Sequence, residues 1–284
     1  MTTSTALDIA NETLEIATLP EVTMRIVQVV QDPKSTAHDL HVIVKNDPAL
    51  SARVLRVVNS AFYGLPGQIG SIDRAIMLLG LNAVKNIAIA ASLSKMFKTN
   101  TECPEFSGKD LWTHSVAVGA TNKLIASAIG LSLPDESFLA GLMHDIGLVS
   151  VMQCRASAIP EIIAQVNTGK NLLEVESEIL GATHTEIGAA LTTRWKFPRS
   201  FQYVTAFHHN PMELAPENRL LATVTCIADS LCTQMGLGLF NREKIDDIVI
   251  DDYLIKEISI SPNQLNEIAN NIEEELEVVK ALIE

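Results

Sequence analysis

Apolar residues recur along this 284-residue chain at intervals of three and four positions, which is the spacing of one face of an α-helix. No stretch shows the strict apolar–polar alternation that is typical of a half-buried strand. The helical spacing is clear in Met24, Ile26, Val27, Val29 and Val30, and again in Leu50, Val54, Leu55, Val57 and Val58. The sequence therefore predicts an all-α fold.

Capping residues place several helix boundaries. The candidate N-terminal caps are Asp47 with Pro48, Ser71, and the capping box formed by Thr183 and Glu186. A further helix is expected to begin at Leu19-Pro20, and one continuous helix is expected from Pro134 to Met152. Residues 1–18 predict only a short lead-in helix that is weakly anchored.

A polar stretch at residues 98–109, which contains Pro104 and Gly108, is interpreted as a loop between two helical lobes. We therefore divide the chain into an N-terminal helical lobe (residues 1–98), a second helical lobe (residues 106–235) and an acidic C-terminal helical extension (residues 236–284). The amphipathic stretch Ile272–Glu284 carries glutamates at positions 273, 274, 275 and 277, which indicate either the solvated face of a packed helix or a partner-binding helix.

The composition limits the classes of function. Hydrophobic residues make up 47% of the chain but aromatic residues only 5%, so the core is expected to be aliphatic. The net charge is −13, and no basic stripe is evident, so neither nucleic acid nor an anionic membrane is an expected partner. The four cysteines (Cys103, Cys154, Cys226 and Cys232) form no C-x-x-C pair and indicate free thiols in a reducing cytoplasm. We expect no signal peptide and no membrane span.

The pair His144-Asp145 lies within an apolar segment, where both side chains need a partner if they are buried. Four of the five residues that share the helical face of His144 are small, so room for another helix, a water cluster or a metal ion is expected beside it. The face around Asp229 is equally small, and we expect the two faces to meet. The alternatives are a hydrogen-bonded core pair and close packing of helices through small residues.

Five of the seven histidines, together with two aspartates, follow an order that resembles the HD superfamily of metal-dependent phosphohydrolases. These residues are His114, His144, Asp145, His184, His208, His209 and Asp229. The N-terminal lobe is similar to the HDOD family, the HD-related output domain of bacteria. The motifs of that resemblance are Leu19-Pro20, Asp47–Leu50, Val58–Gly64, Ile72–Ile76 and Leu79-Gly80, with Trp112–Ser115 and Ala140–Gly147 in the second lobe.

The resemblance implies that these seven residues are candidate ligands of a divalent metal such as iron, manganese, zinc or nickel. If the chain is active, His144 and Asp145 are the candidate catalytic residues. Two departures oppose hydrolysis more than metal binding. Leu148 stands where the related HD-GYP phosphodiesterases of cyclic di-GMP have lysine, and Asn210-Pro211 replaces their Gly-Tyr-Pro signature.

Two functions follow from the resemblance. The first is a signalling or regulatory module that acts through a protein partner, with a metal site that is structural, regulatory or vestigial. The alternative is a metal-dependent phosphohydrolase that acts on a phosphorylated small molecule or a cyclic nucleotide. The segment Asn59–Gly64 is a candidate docking surface under the first function, or otherwise a helix end packed between the lobes.

Overall fold

The computed structural model describes residues 4–16, 21–32, 34–60, 63–98, 106–131, 134–239 and 249–283. Helices dominate these residues, and no β-strand occurs among them. The α-helices are α1 Ser4–Ile16, α2 Glu21–Gln31, α3 Ala37–Lys45, α4 Pro48–Val58, α5 Ile72–Leu79, α6 Leu81–Leu93, α7 Gly108–Ala128, α8 Pro134–Met143, α9 Ile146–Cys154, α10 Ile159–Val166, α11 Leu172–Leu180, α12 His184–Arg194, α13 Arg199–Phe207, α14 Pro216–Gln234, α15 Asp252–Ile258 and α16 Pro262–Ile283. The all-α prediction is confirmed.

The predicted N-terminal caps are confirmed. The Asp47 carboxylate accepts a hydrogen bond from the Leu50 amide, with Pro48 in the first turn of α4. The Ser71 hydroxyl caps α5, and Thr183 and Glu186 form a reciprocal capping box at the start of α12. The expected helix start at Leu19-Pro20 lies outside the described residues. Local capping chemistry therefore sets the helix starts at these three positions.

The prediction of one helix from Pro134 to Met152 is wrong, because the chain breaks between α8 and α9 at the His-Asp pair. Asp145 precedes α9 with φ −96° and ψ 19°, and its carboxylate makes no capping bond to the helix. The His144 ring instead bonds the Gly141 carbonyl through Nδ1 at 2.6 Å. The break turns both side chains out of the helical register and into the interior.

The lead-in helix α1 is not weakly anchored. Ala6, Ile9 and Ala10 are fully or almost fully buried, because α1 packs against α9 and α12 of the second lobe. The Thr13 hydroxyl lies 3.4 Å from the Cys154 sulfur, and Arg155 pairs with Glu12 at 2.8 Å. The hydrophobic stripe of α1 is thus part of the same core as the His-Asp segment.

The C-terminal extension also packs on the second lobe. Its apolar side chains, which include Leu254, Ile258, Leu265 and Ile268, form a second core with residues of α7 and α14. Side chains beyond residue 272 lie outside the described set, and so does the expected inward face of Ile272–Glu284. The boundaries proposed for the two lobes and the extension remain predictions.

Asn59 joins the end of α4 to the loop that follows it. Its side-chain nitrogen Nδ2 donates to the carbonyls of Leu55 and Ile69 at 2.7 and 2.8 Å. Its side-chain oxygen Oδ1 accepts from the backbone amide of Ile69 at 2.6 Å. Tyr63 then reaches the second lobe, where the Lys123 ammonium lies 4.3 Å from its ring centre. Residues 61 and 62 of the motif lie outside the described residues. These contacts favour the structural interpretation of Asn59–Gly64.

Among the described residues, one stretch is long and apolar enough by composition to cross a membrane: Pro134–Cys154, which comprises α8, the break and α9. Of its most apolar 18-residue window, 89% is buried inside the fold.

Candidate metal centre

All seven side chains predicted as ligands meet around Asp145. His114 comes from the middle of α7, and Asp229 comes from α14. His144 and Asp145 occupy the break between α8 and α9. His184 is the first residue of α12, and His208-His209 follows α13. Six helices therefore supply one cluster, although the residues span 116 positions of the chain.

The Oδ2 side of the Asp145 carboxylate faces two rings. The Nε2 atom of His144 lies 3.2 Å from Oδ2, and that of His114 lies 3.7 Å away. Asp229 Oδ1 lies 3.2 Å from the same Nε2 atom of His114. Three possible metal-ligand atoms thus lie within 4.8 Å of one another, one each from Asp145, His114 and His144.

The Oδ1 side of the same carboxylate faces a second group. The Nε2 atoms of His184 and His208 lie 3.3 and 3.5 Å from Oδ1. His209 joins them, because its Nε2 atom lies 3.2 Å from that of His184. These four residues again place donor atoms within 4.8 Å. Asp145 is the one member that both groups share.

Hydrogen bonds to the backbone on the far side of three rings fix their orientation. Three Nδ1 atoms bond backbone carbonyls: His114 to Leu237 at 2.8 Å, His144 to Gly141 at 2.6 Å and His208 to Val204 at 3.1 Å. A carbonyl oxygen only accepts, so each of these Nδ1 atoms carries the proton. When such a ring is neutral, its Nε2 lone pair points at Asp145. Metal-binding histidines are commonly held in this tautomer by a hydrogen bond at the other ring nitrogen.

This arrangement needs positive charge at its centre. An ionised carboxylate only accepts, and so does an Nε2 atom whose ring proton sits on Nδ1. The Nε2 atom of His144 is buried and makes no hydrogen bond among the described residues, although it lies 3.2 Å from the carboxylate. Such lone pairs repel unless protons or a cation lie between them. Imidazole and carboxylate donors suit a divalent transition metal, so the residues present fit a metal ion.

Glu176, which the sequence reasoning missed, is fully buried on α11. Its Oε2 atom accepts hydrogen bonds from both the Nδ1 atom and the backbone amide of His184, at 2.7 and 2.8 Å. The sequence does contain an indication of this residue. Glu176 lies four positions after Leu172 and three before Ile179, on the apolar face of that helix. A charged residue on an apolar stripe indicates a buried partner.

The charges of the cluster shift its titration. Burial alone would lower the pKa of His184, but the carboxylates of Glu176 and Asp145 outweigh it and raise this pKa to about 9. Burial likewise raises the pKa of Asp145, yet His144 and the other rings hold it well below its usual range. The pKa of His209 is held well below its usual value by burial and by the neighbouring rings of His208 and His184. The site thus keeps Asp145 ionised and His209 neutral.

The small residues beside His144-Asp145 allow neighbouring helices to pack closely, which was the alternative interpretation. A Cβ atom at Gly147 would overlap the carbonyl oxygen of His184 and lie 2.8 Å from its carbonyl carbon. One at Gly141 would lie 2.7 Å from the Asn122 amide and 2.9 Å from Gly119. The space expected beside His144 is therefore taken by the backbones of α7 and α12.

The cluster is closed on most sides. His144, His184 and His208 are fully buried, and His114 and Asp145 are 3% and 4% exposed. Asp229 and His209 are half-buried and form the edge nearest to solvent. Leu148, which follows the pair by three residues, is buried in the apolar core.

Comparisons with known proteins agree with this architecture. The family model for the HDOD domain matches residues 16–211. The chain also resembles an HDOD domain protein of unknown function from Geobacter sulfurreducens, with a TM-score of 0.81, 24% identity, and coverage of 99% of this chain and 98% of that one. The chain belongs to the HDOD family. Asp229 and the C-terminal extension lie beyond the matched range.

Other relatives carry provisional names. A provisionally named phosphohydrolase from Shewanella amazonensis is 25% identical, with a TM-score of 0.68 and coverage of 97% of this chain and 95% of that one. An uncharacterised protein of Treponema pallidum (strain Nichols) is 29% identical over 233 residues, which are 78% of this chain and 43% of the relative. The chain thus spans less than half the length of that relative.

Proposed function

We propose that this protein is a regulatory HDOD module of bacteria. In this module a buried divalent metal would stabilise the signalling fold, and a protein partner would recognise the state of the module. The observation that carries the proposal is the convergence of Nε2 atoms on both oxygens of Asp145 at 3.2–3.7 Å. Four Nε2 atoms around a carboxylate make a site for a cation, and the bonds at Nδ1 hold these four rings in place beforehand.

The proposed ligands form two groups that share Asp145. His114, His144 and Asp229 would serve one side, and His184, His208 and His209 would serve the other. The two donor groups would suit one ion or a pair of ions. A bound ion would supply a Lewis acid and would neutralise the carboxylates. Glu176 would act as a positioning residue, because it holds the ring of His184.

Burial supports regulation rather than turnover. Structural metal sites are closed by protein ligands, whereas catalytic sites keep a position open to water and substrate. Five of the seven proposed ligands are at most 4% exposed, and Leu148 supplies no cation or acid for a phosphoryl group. Coupling of the metal to the fold is therefore the role that the geometry favours, since the bound metal would connect six helices.

Metal content tests the proposal. Protein purified without chelator and without an affinity-tag metal is expected to carry one or two equivalents of a transition metal by elemental mass spectrometry. Asp145→Asn should lose at least nine-tenths of that metal, whereas the exposed control Asp8→Asn should retain it. An unchanged metal content in Asp145→Asn, or wild-type protein that takes up no metal on reconstitution, would contradict the assignment.

A metal-dependent phosphohydrolase is the second candidate. It is favoured by the half-buried edge of Asp229 and His209, and by the provisional name of the Shewanella amazonensis relative. The metal-loaded protein would then release phosphate from a phosphomonoester or open a cyclic dinucleotide, and Asp145→Asn would abolish this. Product formation by the wild type but not by the variant would replace the regulatory proposal with this one.

A further inference from the structure

A cavity of about 410 Å³ lies away from the histidine cluster, among α8, α13 and α14. His144 and His208 directly follow the opposite ends of α8 and α13, and Asp229 lies in the C-terminal half of α14. Glu136 precedes His144 by eight positions, and Ser200 precedes His208 by eight positions, which corresponds to about 12 Å along a helix. The cavity is therefore a separate site connected to the cluster by continuous helices.

The walls of the cavity combine an apolar surface with charges. Leu131, Leu220 and Leu221 supply the apolar part. Arg199 and Glu217 stand at the rim, and neither forms an ion pair within the described ranges. A volume of this size lies within the usual range for small-molecule sites, of about 300–1,000 Å³. The cavity thus offers an apolar surface, one free cation and a free carboxylate.

Two further polar residues, Glu136 and Ser137, line the cavity. Ser137 is 1% exposed and contributes to the cavity wall. Glu136 accepts one bond, from the Ser200 hydroxyl at 3.0 Å, and forms no ion pair among the described residues. Its place in the cavity wall makes it available to a ligand.

The start of α13 adds donors on the same side as Arg199. No side chain caps this nine-residue helix, because Pro198 occupies the cap position. The first amides of such a helix, with the positive end of its dipole, favour a carboxylate. Arg199 therefore stands beside a second source of positive potential, while Glu136 and Glu217 supply the opposite charge.

We propose that this cavity binds a small zwitterion with an apolar body, of which an apolar α-amino acid is the simplest example. Its carboxylate would pair with Arg199 and the first turn of α13, its ammonium group with Glu136 and Glu217, and its side chain would lie on the leucines. In the regulatory module this ligand would be the input signal. That last reading rests on the proposed function, whereas the binding itself does not.

Isothermal titration of the full chain with L-leucine and L-phenylalanine tests the site. Saturable one-to-one binding is expected for at least one of the two. 4-Methylpentanoate lacks the ammonium group and isopentylamine lacks the carboxylate, so each should bind at least tenfold more weakly than leucine. If neither amino acid binds, or if either single-charge analogue binds as tightly as the amino acid, the proposal is overturned.

Surface variants locate the binding. Arg199→Gln and Glu136→Gln should each weaken amino-acid binding at least tenfold, while Arg194→Gln and Glu213→Gln, which lie outside the cavity wall, should leave it unchanged. Equal affinity in all four variants would place the ligand elsewhere. Metal content is read on the same samples. Leucine binding without metal would refute the proposed function alone, and metal without leucine binding would refute this site alone.

Discussion

The contact between α9 and α12 gives the sharpest test of how the cluster is built, because it depends on one missing side chain. Gly147 lies so close to the start of α12 that an added Cβ atom would overlap the His184 oxygen. It would also lie 2.8 Å from the His184 carbonyl carbon and 2.9 Å from the Gly188 amide nitrogen. All three neighbours are backbone atoms, which cannot move aside by rotating a side chain.

The expected cost of Gly147→Ala follows from these distances. Carbon atoms pack at about 3.5–4.0 Å, so the two helices would have to separate by about 0.7 Å or more at this point. Overpacking of a core typically costs about 1–3 kcal/mol, and a backbone neighbour places this site at the upper end. A loss of about 3 kcal/mol would lower the melting temperature by roughly 6–12 °C for a chain of this size.

Gly188→Ala is the matched control across the same interface. Its added Cβ atom would meet Gly147, Thr205 and Ile146 at 3.4–3.6 Å, which is ordinary contact. Alanine is favoured over glycine within a helix by about 1 kcal/mol, so this variant should be as stable as the wild type or slightly more stable. The two substitutions change the chemistry equally and differ only in the space available.

Urea unfolding followed by far-ultraviolet circular dichroism measures both variants. Gly147→Ala should have a lower midpoint and, because Asp145 and His184 move apart from 3.3 Å, a lower metal content. If Gly147→Ala unfolds at the wild-type midpoint, the close approach of α9 and α12 is refuted. If both variants lose equal stability, helix separation is not the cause.

Three further outcomes follow from individual contacts. Asn59→Ala should cost about 1–3 kcal/mol in urea unfolding, because the buried amide of Ile69 loses its acceptor; an unchanged midpoint would refute the bond. Glu176→Gln should weaken metal binding about 10–100-fold, since Glu176 orients His184; metal titration with unchanged affinity would contradict that role. The Cys232 thiol is fully buried, and burial raises its pKa to about 12. It should therefore resist iodoacetamide in the native protein and react in urea, which peptide mass spectrometry would show.

The sequence alone predicted the features that depend on local chemistry. Helical spacing of apolar residues indicated the all-α class, and the caps at Asp47, Ser71 and Thr183 were confirmed because capping involves residues only three positions apart. The set of candidate ligands came from the resemblance to the HD superfamily, because this sequence carries the same order of histidines and aspartates. These signals need no knowledge of which helices touch.

Tertiary contacts decided the rest. The break at His144-Asp145 was missed because the apolar pattern runs on unchanged from α8 into α9. The burial of α1 depends on α9 and α12, which lie 130 or more positions away in the chain.

The tertiary structure also determines which oxygen of Asp145 each histidine faces. Only the fold places His114 and His144 on one oxygen of Asp145 and His184 and His208 on the other. Residue identity determined which chemistry was available, since imidazole and carboxylate groups must be partnered when buried. Helix packing determined where those groups meet, because distances between side chains of different helices have no counterpart in local spacing.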